Sequence, residues 1–564
     1  VIHTADSTFR LDANAVDYLI VAAYFLVVIG IGLMARRQVS TSLDFFLSGR
    51  SLPAWVTGLA FISANLGAVE IMGMSANGAE FGMATVHYFW VGAVPAMLFL
   101  GIVMMPFYYG SGVRSVPEFM RRRFGTGAHL VNALSFAVAQ LLIAGINLYL
   151  LATIVNRLLG WPTWVSLIVA ALIVLTYTAL GGLSAAIYNE VLQFFVIVAA
   201  LLPLTIVALH KVGGWEGIKD KVQPGQEQLS SWPGTDLTGI DNPVLSVIGI
   251  VFGLGFVLSF GYWTTNFVEV QRAMASDSIS AAKRAPIIGA FPKMFIPFIV
   301  IIPGIIAAIV VKELVDLKAD KPAGDVKYND AILLLMRDLL PNGMLGIAIA
   351  GLLASFMAGM AANISAFNTV FSYDLWQQYV QKDREDSYYT RIGRIATVAA
   401  TVIAIGTAGI ASNYSNMMNY LQTLFGFFNA PLFATFILGM FWKRMTATAG
   451  WTGLVSGTVA AVLVAFLSED TFGSASWGVL GIKGQGASFV AAGAAFVVDI
   501  LVSVIVTMFT RPRDEADLEG LVYSLTPKES LVDPDEVHLP WYQSPPKLAG
   551  LGLALVIVLN VIFW

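Results

Sequence analysis

Apolar runs of roughly 20 residues, the length that carries an α-helix across the hydrocarbon core of a bilayer, recur along the chain. They lie near positions 16–35, 55–75, 85–108, 129–158, 163–181, 184–209, 243–267, 286–311, 342–378, 389–411, 416–441, 448–467, 486–509 and 548–564. The pattern predicts an all-α polytopic membrane protein with about fourteen transmembrane helices, folded as one domain over residues 1–564. Segments 210–242 and 312–341 read as outer loops. Within the second, Ala331-Ile332-Leu333-Leu334-Leu335-Met336-Arg337 predicts a short amphipathic helix lying on the membrane. Residues 510–547 are charged and proline-bearing, and predict a cytoplasmic linker before the last helix.

One run departs from uniform hydrophobicity. Ile62-Ser63-Ala64-Asn65-Leu66-Gly67-Ala68-Val69-Glu70, continuing through Gly73 to Ser75, is apolar enough to enter a bilayer yet punctuated by small, polar and acidic residues. It predicts a broken transmembrane helix, because non-helical backbone at that depth survives only where it lines a cavity or is buried in protein. The segment 243–267 repeats this character, interrupted by Gly253, Gly255, Ser259, Gly261 and residues 264–266. Two interrupted helices, each opening a run of five, predict an inverted repeat of five plus five with solute bound near the midplane. Glycines that merely permit close helix packing are the alternative. On this reading 55–209 is the first repeat and 243–441 the second, with an extra helix at 16–35 and further helices over 448–564.

Composition narrows the function. At 57% hydrophobic and 12% charged residues, the chain excludes a soluble domain, and a net charge of −4 without a basic run excludes a nucleic-acid partner. There are no cysteines, and the five histidines show no metal-ligand spacing, so no cofactor or metalloenzyme chemistry is indicated. Nor is there a nucleophile and base in recognisable spacing, which argues against an enzyme. The first apolar run lacks a basic flank and a small-residue cleavage site, and reads as a retained helix. Lysine and arginine concentrate in alternate loops, among them Arg36, Arg37 and Arg50; 121–123; Arg272, Lys283 and Arg284; Arg391 and Arg394; and Arg511 and Arg513. These loops are therefore cytoplasmic, and both termini face outward from a plasma membrane, the inner membrane of a bacterium.

A charge deep in a bilayer persists only with a partner or a water-filled cavity. Lys293, in Phe291-Pro292-Lys293-Met294-Phe295, is the sole deep cation in this reading. It reads as a donor to substrate or to an ion pair, against the alternative of a lysine snorkelling to an interface. Glu70 in the broken helix can hydrogen-bond a polyhydroxylated solute, hold a cation, carry a proton or pair with a buried lysine. Glu190 is a third buried charge that needs a role. Tyr262 and Trp263 offer rings to stack on a sugar or to gate a cavity, or simply to pack. Gln422 presents a mid-membrane amide to a solute hydroxyl or to a neighbouring helix.

At these residues the chain resembles the sodium:solute symporter family, in its sodium–glucose cotransporter-like branch of bacterial type, from about residue 16 to the C-terminus. The motifs include Asp44-Phe45-Phe46-Leu47-Ser48-Gly49-Arg50-Ser51-Leu52-Pro53, Gly73-Met74-Ser75 and Pro117-Glu118-Phe119. They continue with Gly181-Gly182-Leu183-Ser184-Ala185 before Asn189-Glu190, then Gln271-Arg272, Pro303-Gly304, Asp374-Leu375 and Gly439-Met440-Phe441-Trp442-Lys443. The resemblance implies a leucine-transporter-like fold, alternating access, and uptake of a sugar or polyol driven by sodium. It also implies that Asn65, Ser259, Tyr262, Trp263, Lys293 and Gln422 line the sugar pocket, with Tyr262 as the inner gate. Glu70 falls where relatives place glutamine or histidine, and Phe89 occupies the place of a sugar-binding glutamate.

For the coupling sodium, the resemblance implies carbonyl donors at Ser63, Leu66 and Ser355. The two hydroxyl positions hold Ala358 and Gly359 instead, a loss that should weaken the site. Restoring serine at both is expected to tighten it. Glu190 stands where the family often has an aspartate linked to cation coupling. The residues leave open a proton-coupled or uncoupled carrier of the same fold and a symporter of another small organic solute; a non-transporting membrane sensor is disfavoured.

Overall fold

The computed structural model describes residues 10–564 apart from Ala68, Arg114, 223–225, 233–236, Asp325, Asn413, 415–416, Asp470 and 472–474. Ala68, in the predicted break, Arg114, in a predicted cytoplasmic loop, and the first nine residues of the predicted outward N-terminus lie outside the described residues. Among those described, twelve helices are long and apolar enough to cross a membrane. A thirteenth crossing is the bent pair Ala54–Asn65 and Val69–Val86, and Thr163–Thr176 is a shorter apolar helix. All fourteen predicted segments thus have helical counterparts.

Local chemistry sets where these helices start. Asn14 caps Ala15–Arg36, its Oδ1 accepting from the backbone of Val16 and Asp17, while Asp17 Oδ2 accepts from the Asn14 N–H. The buried Asp17 also accepts from the Gly343 and Gly346 N–H groups, both at 2.7 Å, so one carboxylate caps two helices. Gly182, at φ +60° and ψ −146°, interrupts the helix Thr163–Val212; a Cβ there would stand 2.5 Å from the Phe45 carbonyl. The helices Met344–Gln377 and Ile279–Val310 are the most enclosed, whereas Ala15–Arg36 and Pro545–Ile562 turn most of their apolar surface outward. That inside-to-outside order, with apolar residues on both, is the arrangement of a bundle whose solvent is lipid.

Two expectations are corrected. The helix Ala331–Leu339 does not lie on a membrane surface: residues 331–336 are all fully buried, and it packs between Val69–Val86, Ile279–Val310 and the helix Thr163–Val212. Its apolar residues cover more than one face, so protein rather than headgroups surrounds them. Arg123 and Arg272, which the loop reading places at the cytoplasmic side, are fully buried as well. Arg123 donates to the carbonyls of Gly439, Trp442 and Met445 at 2.9–3.1 Å, which satisfies helix-end carbonyls that otherwise lack partners.

The other correction concerns 243–267, where of the expected interruptions only that at 264–266 is present: the segment stays helical from Pro243 to Thr265 and leaves helical geometry at Asn266 (φ −77°, ψ 114°). Gly249–Phe260 winds as a π-helix, a rare form that often marks functional sites. Added Cβ atoms at Gly253, Gly255 and Gly261 would stand 2.7–3.0 Å from Phe489, Val91 and Asn429. These glycines serve close helix packing.

The linker 510–547 clasps the bundle through short turns. Lys283 pairs with Glu536 at 3.0 Å, Lys443 with Glu515 at 2.6 Å, and Arg513 donates to the Arg122 and Arg123 carbonyls.

Candidate solute-binding site

The first half-helix ends at Asn65. Leu66 (φ −78°, ψ 49°) turns its N–H back to the carbonyls of Ile62 and Ser63, and the chain resumes as a π-helical turn over Val69–Gly73 with a bend of 57°. Gly67 sits close to its neighbours at this bend: a Cβ would lie 3.0 Å from Asn147 Oδ1 and 3.3 Å from the Gly359 Cα. The break opens onto a cavity of about 100 Å³. Asn65, Glu70, Ser259, Tyr262, Trp263, Lys293 and Gln422, all predicted site residues from four separate segments, line it.

Lys293 organises the polar side of the cavity. Its Nζ bonds to Glu70 Oε1 and to Asn65 Oδ1, and lies 4.7 Å from the Phe89 ring centre and 5.3 Å from that of Trp263. The ion pair and the two ring faces give the buried amine partners in place of water. Asn65 spends its amide donor on the Tyr262 hydroxyl at 3.1 Å, and Tyr262 donates to Glu269 Oε1 at 2.5 Å. Tyr262 packs against Phe425 and Trp263, with ring centres 4.7 and 5.2 Å away. Gln422 lines the cavity with no hydrogen bond to the described residues. Its amide is available to a solute.

Phe89 is the exception in the predicted pocket set. It is fully buried and does not line the cavity, but backs Lys293. Glu190 also lies outside the cavity, fully buried in a two-point ion pair with Arg272 at 2.6 and 3.3 Å.

Of the predicted sodium ligands, Ser355 and Gly359 stand directly against the break. Ser355 Oγ donates to the Leu66 carbonyl at 2.6 Å, while Ser63 Oγ is buried with no partner among the described residues. Ala358 is fully buried. At Gly359 a Cβ would stand 2.9 Å from the Gly67 Cα and 3.0 Å from Asn147 Oδ1, itself buried and without a partner among the described residues. Serine at 359 therefore has no room while Asn147 and Gly67 keep these positions, and the expectation that restoring it tightens the site is corrected. Ser63 Oγ and Asn147 Oδ1 are thus two buried oxygens near the break left without a partner among the described residues.

Asn147, Asn363 and Glu269 were not picked out from sequence. The first two line the cavity, but each is one of several amides in a long apolar helix, with nothing in the sequence to set it apart. Glu269 sits three residues after Asn266, which caps the helix Phe267–Met274, so its spacing reads as an ordinary capping pattern.

A family model described as the sodium:solute symporter family matches residues 45–457. This chain belongs to that family. Among its relatives, the sodium/glucose cotransporter of Vibrio parahaemolyticus is 30% identical over 470 residues, covering 80% of this chain and 85% of that protein. Sodium/glucose cotransporter 1 of Oryctolagus cuniculus is 28% identical over 561 residues, covering 93% and 83%. Among solved structures, a Na+-coupled sialic acid symporter in a substrate-bound, outward-open state superposes with a TM-score of 0.74 at 18% identity, covering 89% of this chain and 99% of that one. That likeness establishes the shared fold, the leucine-transporter-like helical bundle of a symporter family.

Proposed function

We propose that this protein takes up a neutral sugar or related polyol across a plasma membrane by sodium-coupled symport, through alternating access to the cavity beside the break at Leu66. The observation that carries the reading is the Glu70–Lys293 pair. The ammonium is already neutralised by a carboxylate of the same cavity, so the site favours a neutral solute with many hydroxyls over a carboxylate or an amine. Gln422, Ser259 and Asn65 add donors and acceptors, and Trp263 adds a ring face. The names of the Vibrio and rabbit relatives support sugar as the solute and sodium as the ion. In this reading 55–209 and 243–441 are the two repeats, and both termini lie outside the cytoplasm, as the loop charges favour.

Uptake into proteoliposomes, screened over sugars under an imposed sodium gradient, a proton gradient or neither, tests the proposal. Accumulation of a sugar with inward sodium alone is the expected result. Accumulation indifferent to sodium that collapses with the proton gradient would overturn the choice of ion and turn attention to Glu70 as a proton carrier.

A further inference from the structure

One carboxyl stands between the cavity and the cytoplasmic end of the bundle without a role in the motifs. Glu269 lies on the short helix Phe267–Met274, beyond the bend at Asn266, and is fully buried. Its Oε1 accepts the 2.5 Å hydrogen bond from Tyr262, and Oε2 has no partner among the described residues. The same Tyr262 oxygen accepts from Asn65 Nδ2. A single phenol thus ties the end of the first half-helix to the helix that follows the second bend.

The two sides of this tie are unequally anchored. The Glu269 helix is held by Arg272, doubly bonded to Glu190, and by Gln271, whose Nε2 donates to the Phe46 carbonyl at 2.9 Å and to Thr369 Oγ1 at 2.6 Å. Apart from its hydroxyl contacts, Tyr262 is held by ring packing. Glu269 is therefore the fixed half and Tyr262 the half that can swing. In chain order Tyr262 lies between the cavity-lining Ser259 and Arg272, whose loop charges mark the cytoplasmic side.

We propose that Glu269 is the catch of the cytoplasmic gate, a positioning residue that holds Tyr262 closed over the cavity through its hydroxyl. Asn65 makes the catch responsive to the cavity. Its amide is shared between Tyr262 and Lys293, so a solute that draws Asn65 away removes the second support of the tyrosine. The proposal rests on the transport reading above.

The absence of cysteine from the chain allows a test that needs neither solute nor gradient. Leu421, which lines the cavity, is replaced by Cys, and its labelling rate with a membrane-impermeant thiol reagent is measured from each face of oriented vesicles. Tyr262→Phe and Glu269→Leu should each raise the cytoplasmic-side rate by about tenfold, the ratio expected for one lost hydrogen bond. The double variant should go no further than either single one. Glu269→Gln, which keeps an acceptor oxygen, should stay near the parent rate. Tyr262→Phe removes one oxygen and keeps the ring contacts, so it carries the test if Glu269→Leu does not fold. Unchanged labelling in Tyr262→Phe, or effects of the two single variants that multiply, would overturn the catch. Sodium-driven uptake that is intact while labelling is unchanged would overturn the catch alone, whereas failed uptake with the expected labelling would overturn the transport reading alone.

Discussion

The two segments that resemble each other in sequence behave differently in three dimensions. At Leu66 the chain leaves helical geometry in mid-span, exposing carbonyls and setting Asn65 and Glu70 against Lys293. In the helix Pro243–Thr265 the glycines instead meet neighbouring helices, helical geometry persists past Tyr262, and the bend comes only at Asn266. The first segment supplies polar groups that meet partners from distant helices, and the second supplies a stiff support for a gate. Glycine content cannot distinguish these outcomes, because glycine permits both a bend and a close approach. What separates them is the presence of partners: the first break is surrounded by Asn147, Gly359 and Lys293, whereas Gly253 and Gly255 face Phe489 and Val91.

The difference can be tested from its strongest consequence downward. Lys293→Ala should leave Glu70 as a buried charge without its partner, costing about 3–5 kcal/mol and lowering Tm in detergent as well as removing solute binding. Adding Glu70→Gln should recover most of the Tm but not the binding. A full loss of Tm with no recovery in the double variant would mean that the pair does not organise the break.

A matched pair of insertions sharpens the contrast. Gly253→Ala and Gly359→Ser each force atoms into filled space, a cost of about 1–3 kcal/mol, and both should reduce thermal stability. Only Gly359→Ser should also raise the sodium concentration needed for half-maximal uptake. A shifted sodium requirement in Gly253→Ala would break the distinction between the two segments.

Gln422→Ala should weaken solute affinity by about tenfold, the value of one hydrogen bond made only to the ligand, without changing Tm. Equilibrium binding to the purified protein measures it.

The smallest effect belongs to the buried helix beside Val69–Val86. Arg337, 3.0 Å from Glu313, holds that carboxyl below its ordinary range. A lowered native pKa adds stability above the unfolded value that is lost as pH falls through the native one. Arg337→Gln should remove this contribution, so that its Tm deficit against the parent is present near neutral pH and shrinks on acidification below about pH 4.5, the ordinary carboxylate value. A deficit that is constant with pH would show that Arg337 acts through packing alone.

Much of this architecture was open to reading from the chain alone. Lipid contact and helix length impose a pattern that does not depend on which helices become neighbours, so the count of spans, the short hinge at Gly182 and the break after Asn65 follow from local composition. Pocket residues carried by motif also converge, from four separate segments, on one cavity. The partners of each polar group were not readable in this way. Whether Lys293 meets Glu70, whether Glu190 meets Arg272, whether Phe89 lines the cavity or backs it, and whether Gly359 has room for a side chain all depend on distances between segments far apart in sequence. Ala331–Leu339 shows the same division: its hydrophobic pattern determined that it would bury an apolar surface, and only packing decided that protein would cover it. Hydrophobic burial is non-directional and readable one segment at a time, whereas ion pairs, hydrogen bonds and steric exclusion act over a few ångströms and exist only once the helices have assembled.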